Sequence, residues 1–259
     1  MTTRRDPSSS GDAQPAYHRA ARGLGGLLAF AATPIAIVGL ALLLFFNPLW
    51  VGFEQDRTDV AGITGYTPAE VHAATGAILA DVYFGPPTFD VTVAGAPVLD
   101  PAERSHMADV RFVLLRFLAL VALALVALVA LVAVAGRSAW LWRATAAGAA
   151  VLAGAVVLVG AAFAIAFDQA FLAFHELFFP QGNFEFNPLT ERLVQLFPEQ
   201  FFSETIIALA LVVLVLAGAV AGLSLRRARL LSTTRAAATT GSVAAGVAGE
   251  ARSAGGPGR

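Results

Sequence analysis

The chain has 259 residues and contains no cysteine, which excludes disulfide bonds, thiolate catalysis and cysteine-based metal sites. It has no lysine either, so every one of its 17 basic residues is arginine. Charged side chains are scarce at 14% against 57% hydrophobic, and the mean hydropathy of +0.71 is too high for a water-soluble globular protein. The formal charge of −1 carries no information about partners, because segments of opposite sign cancel, and no nucleic-acid partner is expected.

What is present in quantity is long apolar sequence. About 20 residues of helix cross a bilayer core, and four runs reach that length: 24–46, 113–135, 144–167 and 206–225. The first follows an arginine-bearing segment but is longer than the apolar core of a signal peptide, so it reads as a span. Arg4, Arg5, Arg19 and Arg22 precede span one, Arg137 and Arg143 bracket the connection of spans two and three, and Arg226, Arg227, Arg229 and Arg235 follow span four. By the positive-inside rule these segments are cytoplasmic, both termini included. The connections at 47–111 and 168–205, rich in Asp and Glu, then face outward. The flanking 1–23 and 226–259, the latter basic and then rich in Ala, Gly, Ser and Thr, are expected to be disordered tails.

The first outer segment is long enough for a small folded cap. Thr67-Pro-Ala-Glu70 is a capping box with proline at the first helical position, predicting a helix from Pro68 to about Tyr83, which Gly85-Pro86-Pro87 ends. Phe89, Val91 and Val93 alternate up to Gly95 and predict one or two short strands. Asp100-Pro-Ala-Glu103 repeats the helix-start chemistry, and nothing interrupts a helix from Pro101 to Gly136, so span two begins outside the membrane. In the second outer segment Asn187-Pro188 starts a short helix, with Leu189, Leu193, Leu196 and Phe197 on one face and Glu191, Arg192 and Gln195 on the other, expected to lie flat in the interface. Gly218 and Gly222 predict a close helix approach in span four. The fold class is thus an all-α membrane protein: four transmembrane helices, a small mixed extracytoplasmic cap, and an interfacial helix before span four.

Two of the four histidines lie where apolar spans meet water, a costly position usually kept for a task. His106 shares a helix face about 140° wide with Glu103, Asp109 and Arg116, while Arg111 points elsewhere. Asp109 is placed to accept a hydrogen bond from the imidazole and fix its tautomer. On the extension of span three, Asp168 and His175 are seven apart and share a face, with Gln169 and Glu176 on its flank. Phe171, Phe174, Phe178 and Phe179 around them suit membrane anchoring and packing better than a binding box. Spans two and three, joined by a short connection, are expected to be antiparallel neighbours, bringing the two imidazoles within a few ångströms or one water of each other. His72, in the cap, and His18, in the N-terminal tail, are not assigned a role.

These residues carry a resemblance. His106-Met-Ala-Asp-Val-Arg111, His175-Glu-Leu-Phe-Phe-Pro-Gln-Gly-Asn-Phe184, Phe186-Asn-Pro-Leu-Thr190 and Leu196-Phe-Pro-Glu-Gln-Phe-Phe202 resemble a family of bacterial four-span membrane proteins that includes the lipoprotein intramolecular transacylase. The resemblance covers about 24–225, with the first cap matching loosely through Tyr66, Thr67 and Tyr83. It implies an acyltransferase in the cytoplasmic (inner) membrane of a bacterium, active at the outer face. The implied reaction moves one acyl chain of the diacylglyceryl-modified N-terminal cysteine of a lipoprotein to that cysteine's own α-amino group, giving a lyso-form lipoprotein. His106 and His175 are the implied catalytic pair. Asp109, Asp168 and Glu176 would support them, and Arg116 or Asn183 would hold a carbonyl or the oxyanion. The implied partners are a diacylated lipoprotein and membrane lipid, with no cofactor and no metal. Two other readings fit the same residues: a non-enzymatic membrane protein whose cap binds an envelope partner, and a zinc site built from His106, His175, Asp109 and Asp168.

Overall fold

The structure is a computed structural model that describes residues 16–254. Its elements in chain order are helix α1 (Ala16–Phe45), α2 (Pro48–Arg57), α3 (Val60–Thr64), α4 (Pro68–Tyr83), strands β1 (Thr92–Val93) and β2 (Ala96–Pro97), then α5 (Pro101–Ala135), α6 (Ala139–Ile165), α7 (Phe167–Phe178), α8 (Arg192–Leu196) and α9 (Glu199–Ala254). Segments of α1, α5, α6 and α9 are each long and apolar enough to cross a membrane. The chain is therefore a four-span integral membrane protein whose small sheet sits between spans one and two.

Helix α1 is the centre of the bundle, packed against α5, α6 and α9, while α6 packs along α9. Two glycines make these approaches possible. A Cβ at Gly39 would collide with the Val121 side chain of α5, and one at Gly148 of α6 would collide with the Phe30 carbonyl oxygen. That carbonyl is four residues before Pro34, which has no N–H to offer it. Ile37, Ala41, Ala149, Val213 and Ala217 fill the interior of the α1, α6 and α9 cluster.

This arrangement corrects one expectation. Spans two and three are close in sequence, but α5 and α6 meet sparsely and α1 stands between them. The connection is fixed locally, with Trp142 Nε1 donating to the Gly136 carbonyl at 2.8 Å. Gly218 and Gly222 have no neighbour within 4 Å of a would-be Cβ, so the close approach expected there does not form.

The cap has its own core of Val60, Val71, Ile78, Val82, Phe89, Val98 and Leu99, into which Met107 of α5 and Leu193 and Leu196 of α8 also pack. Helix α4 spans the predicted residues, and both capping boxes, at Thr67 and Asp100, are formed. Asn47 caps α2 without a reciprocal partner, its side chain accepting from the N–H groups of Leu49 and Trp50. The strands form an antiparallel hairpin pairing Thr92 with Pro97 and Val93 with Ala96. Ala94 and Gly95 both take positive φ (52° and 80°), the requirement of a two-residue turn matched to strand twist. Arg111 donates to the Asp81 and Val82 carbonyls at the end of α4, tying the cap to α5.

Helix α8 departs from its prediction. Asn187 Oδ1 accepts from Leu189 N–H at 3.0 Å and the Glu191 carboxylate accepts from Asn187 N–H, so a turn replaces the expected helix start and α8 begins at Arg192. The short helix is clamped to the cap: Glu103 Oε1 accepts from Leu193 N–H at 2.6 Å, and Gln55 Nε2 donates to the Leu196 carbonyl at 2.9 Å. Gln195, expected on the outward flank, is buried, while Leu189 is 85% exposed.

The disordered tails need correction where they are described. Helix α1 already begins at Ala16, and α9 continues to Ala254, because alanine-rich sequence with no proline before Pro257 gives the helix no reason to stop. The remainder, 1–15 and 255–259, lies outside the described residues.

Candidate active site

His106 occupies the second turn of α5, where the Asp100 capping box and the packing of Met107 into the cap core fix the backbone. It is only 6% exposed. His175 comes from α7, which follows a break at Ala166 (φ −144°, ψ 61°) that ends α6. The two imidazoles face each other, centroids 6.1 Å apart and planes within 25° of parallel. The break, and not lengthwise packing of spans two and three, accompanies their meeting.

Phenylalanines enclose the pair. Phe179 lies 4.8 Å from His106 and 5.6 Å from His175, Phe186 lies 5.5 Å from His106, and Phe171 and Phe184 lie 4.0 and 5.2 Å from His175. Phe179 is buried, whereas Phe174 and Phe178 are exposed. The aromatic cluster thus divides: part of it walls the imidazoles, and part fits the anchoring role expected for all of it.

The nitrogens are differentiated. His175 Nδ1 lies 2.8 Å from the Phe171 carbonyl oxygen, four residues earlier. A carbonyl only accepts, so Nδ1 carries the proton and the lone pair of the neutral ring is on Nε2. Burial pushes the His175 imidazole below its ordinary value, and the Phe171 carbonyl offsets part of that effect. In His106 it is Nδ1 that is sealed off without a partner. On both rings Nε2 is free of hydrogen bonds among the described residues and is not one of the buried unpaired atoms.

The supporting residues sort unevenly. Asp109 does not hold the His106 ring directly. Its Oδ2 accepts from Asn183 Nδ2 at 2.7 Å and from Gln181 Nε2 at 2.8 Å, fastening the 180–186 loop over α5. Gly182, at φ +78°, makes the turn between these two amides, and its N–H returns to the Phe179 carbonyl. Asp168 is exposed, and seven residues of helical rise, about 10 Å, separate it from His175, whose Nδ1 is already satisfied by Phe171. The shared face was correct, but distance rules out the bond. Glu176 is exposed, with no hydrogen bond or ion pair among the described residues. The Arg116 guanidinium lies over the Phe112 ring at 3.7 Å, and with Pro87 and Leu115 it lines an open groove that contains neither histidine.

Glu103, on the same stripe, is buried with both carboxylate oxygens occupied, Oε2 by Asp100 N–H and Oε1 by Leu193 N–H. Gln181, Phe184 and Phe186 were missed as neighbours of the site. The Pro180-Gln181-Gly182 turn was the available signal, since it folds the chain back toward α7. Among the described residues no group of three or more His, Asp and Glu side chains is arranged to hold a metal ion.

Fold and site define a four-span integral membrane protein in which two imidazoles, one from a span's extended end and one from a helix after a break, are paired beneath a folded cap. The family model described as lipoprotein intramolecular transacylase Lit matches residues 27–202, and the chain belongs to that family. Its fold is similar to the in meso structure of the membrane integral lipoprotein intramolecular transacylase Lit from Bacillus cereus, with TM-score 0.66 and 18% identity over 84% of this chain and 98% of that one. Two structures of the same protein with a histidine replaced by arginine or alanine each match with TM-score 0.64, at 17% and 18% identity, covering 86% and 85% of this chain and 97% of each of theirs. Comparison with curated protein sequences finds no match.

Proposed function

We propose that this chain performs the reaction its family is named for. One acyl chain of a lipoprotein's diacylglyceryl-modified N-terminal cysteine passes to that cysteine's own α-amino group, at the outer face of the bacterial cytoplasmic membrane. The observation that carries this reading is the imidazole pair: two rings at 6.1 Å, with Nδ1 bonded to a backbone carbonyl in His175 and buried in His106, and Nε2 without a hydrogen bond in either among the described residues. The outward placement rests on the arginine distribution, which puts the cap and both histidines opposite the basic segments.

The chemistry has simple bookkeeping. A C–N bond forms between the α-amine and the ester carbonyl carbon, the C–O bond to the glycerol sn-2 oxygen breaks, and one proton travels from nitrogen to that oxygen. A neutral imidazole takes the amine proton through its Nε2 lone pair, and an imidazolium Nε2–H returns a proton to the departing oxygen. His175 is suited to start as the base, since burial favours its neutral ring and the Phe171 carbonyl holds its other nitrogen. At a centroid spacing of 6.1 Å the rings can exchange the proton directly through the substrate or through one water. Because amine and ester belong to one molecule, orientation replaces a covalent acyl-enzyme step. The phenylalanines around the rings limit the access of bulk water that would hydrolyse the ester.

The test is mass spectrometry of lipoprotein N-terminal peptides from cells with and without this chain. Fragmentation should locate an acyl group on the α-nitrogen only when the chain is present. Identical diacylated N-termini in both would defeat the proposal and favour a cap that binds an envelope partner.

A further inference from the structure

The bond between Asp109 and Asn183 leaves a detail that a simple loop fastening does not need. A carboxylate can only accept, so the amide edge that meets Asp109 Oδ2 at 2.7 Å is the Nδ2 donor. A second, longer contact from Nδ2 reaches Ser105 Oγ at 3.5 Å. The amide orientation is therefore fixed, and Asn183 Oδ1 is the edge left over. That oxygen is buried without a partner, and so is His106 Nδ1. The Asn183 side chain is placed beside His106 by its contacts with Ser105, the residue before it, and Asp109, one turn after it. Two buried, unpaired atoms, one an acceptor only and the other able to carry a proton, are costly apart and satisfied together.

We propose that Asn183 is a positioning residue for His106, its Oδ1 accepting from Nδ1–H and so holding the lone pair on Nε2, and that Asp109 acts through it by fixing which way the amide points. The pairing makes the two halves of the site equivalent: a carbonyl oxygen, from Phe171 on one side and Asn183 on the other, takes Nδ1–H of each imidazole, and both Nε2 atoms are left free of hydrogen bonds among the described residues. An amide in this place orients a histidine while keeping the Asp109 carboxylate one side chain away from the ring. Gln181 alone keeps the loop fastened, since its own bond to Asp109 at 2.8 Å is independent of Asn183. The importance of this device for catalysis rests on the acyl-transfer reading, whereas the tautomer it imposes does not.

The full chain, labelled with 15N in its histidine rings and purified in detergent, gives a direct readout. His106 is assigned by the signal lost in His106→Gln. Its nitrogen shifts should show the Nδ1–H tautomer in the unmodified chain. Asn183→Leu, close in size but without the acceptor, should turn the ring to the Nε2–H form or a mixture. Exchanging the two groups, with Asp109→Asn and Asn183→Asp together, keeps an amide bonded to a carboxylate and an oxygen toward His106, and should restore the Nδ1–H form. In an acyl-transfer assay Asn183→Leu should lose about 100-fold in rate, and the exchange should recover to within about tenfold of the unmodified chain. An Nε2–H ring in the unmodified chain, or Nδ1–H persisting in Asn183→Leu, overturns the proposal; the first reading needs only the His106→Gln assignment variant to fold, and does not depend on Asn183→Leu. An unmodified chain with the predicted tautomer but no acyl transfer defeats the functional reading and leaves the orientation of His106 standing.

Discussion

The two histidines are held by very different pieces of structure. His106 is set in a helix whose first turns are sealed by a capping box, pinned by the buried Glu103 and packed into the cap core. His175 sits on α7, twelve residues with no buried side chain, which follows the break at Ala166 and meets the rest through ring contacts of His175 with His106 and of Phe171 with Phe202. One imidazole is fixed relative to the cap, and its partner rides on an element that few contacts restrain. Under the proposed reaction a lipid-modified substrate enters between them from the membrane, and one firmly held and one lightly held partner would allow this without dismantling the cap.

If the pair acts as one unit despite this asymmetry, the largest effects are equal on both sides. His106→Ala and His175→Ala should each lower acyl transfer by a factor of about 100 to 10,000, and the double substitution should be little worse than either. Rates from reconstituted vesicles decide this, and additive losses would separate the two residues into independent roles.

The next effect sharpens the contrast in anchoring. Glu103→Ala removes a buried carboxylate that accepts from two backbone N–H groups and should destabilise the folded chain by about 2 kcal/mol, seen as a lowered Tm. Asp168→Ala, on the exposed face of α7, should stay within about 0.5 kcal/mol and keep near-normal activity. Equal losses from the two would mean that α7 is as firmly held as α5.

A smaller effect comes from protonation. Burial lowers the His175 pKa from its ordinary 6.5, so over the range between the two values the unfolded chain binds more protons than the folded one. The sign follows: stability is complete above about pH 6.5 and falls as the pH drops toward the folded-state value. His175→Phe should flatten the acid side of a Tm-against-pH curve, and an unchanged slope would show that other groups carry it. The smallest expected effect is at His72, bonded to Asp56 at 2.9 Å on the exposed surface of the cap. His72→Ala should leave acyl transfer and Tm close to normal.

Legibility in the sequence followed locality. The starts of α4 and α5 are written in four consecutive residues each, Thr67 to Glu70 and Asp100 to Glu103, and both formed as read. Asn47-Pro48 starts α2 with a weaker signal, an N-cap and a proline without the reciprocal glutamate, and directly abuts the apolar run of span one. Asn187-Pro188 carries it too and makes a turn, since the Glu191 carboxylate reaches back to Asn187 N–H and tertiary clamps at Leu193 and Leu196 dictate where α8 lies. Helical periodicity placed His106 with Asp109, and Asp168 with His175, on common faces. It had no means of telling that Asp109 would be claimed by Gln181 and Asn183 from a loop more than seventy residues away, or that the Phe171 backbone would satisfy His175 before any carboxylate. The neighbour relation of α5 and α6 failed for a similar reason: it depended on Gly39 and Gly148 letting α1 into the middle, a long-range fit with no local signature.

The central claim is that the histidine pair moves an acyl chain from oxygen to nitrogen within one lipoprotein molecule. The most direct measurement is fragmentation mass spectrometry on a mixture of two diacylated lipopeptides, one carrying isotope-labelled acyl chains, incubated in vesicles with the purified chain or with its His106→Ala or His175→Ala form. The expected result is an N-acylated product of unchanged total mass, labelled peptide keeping its own labelled chain, and no product with either variant. Crossover of label between peptides, or N-acylation surviving the loss of either histidine, would contradict it.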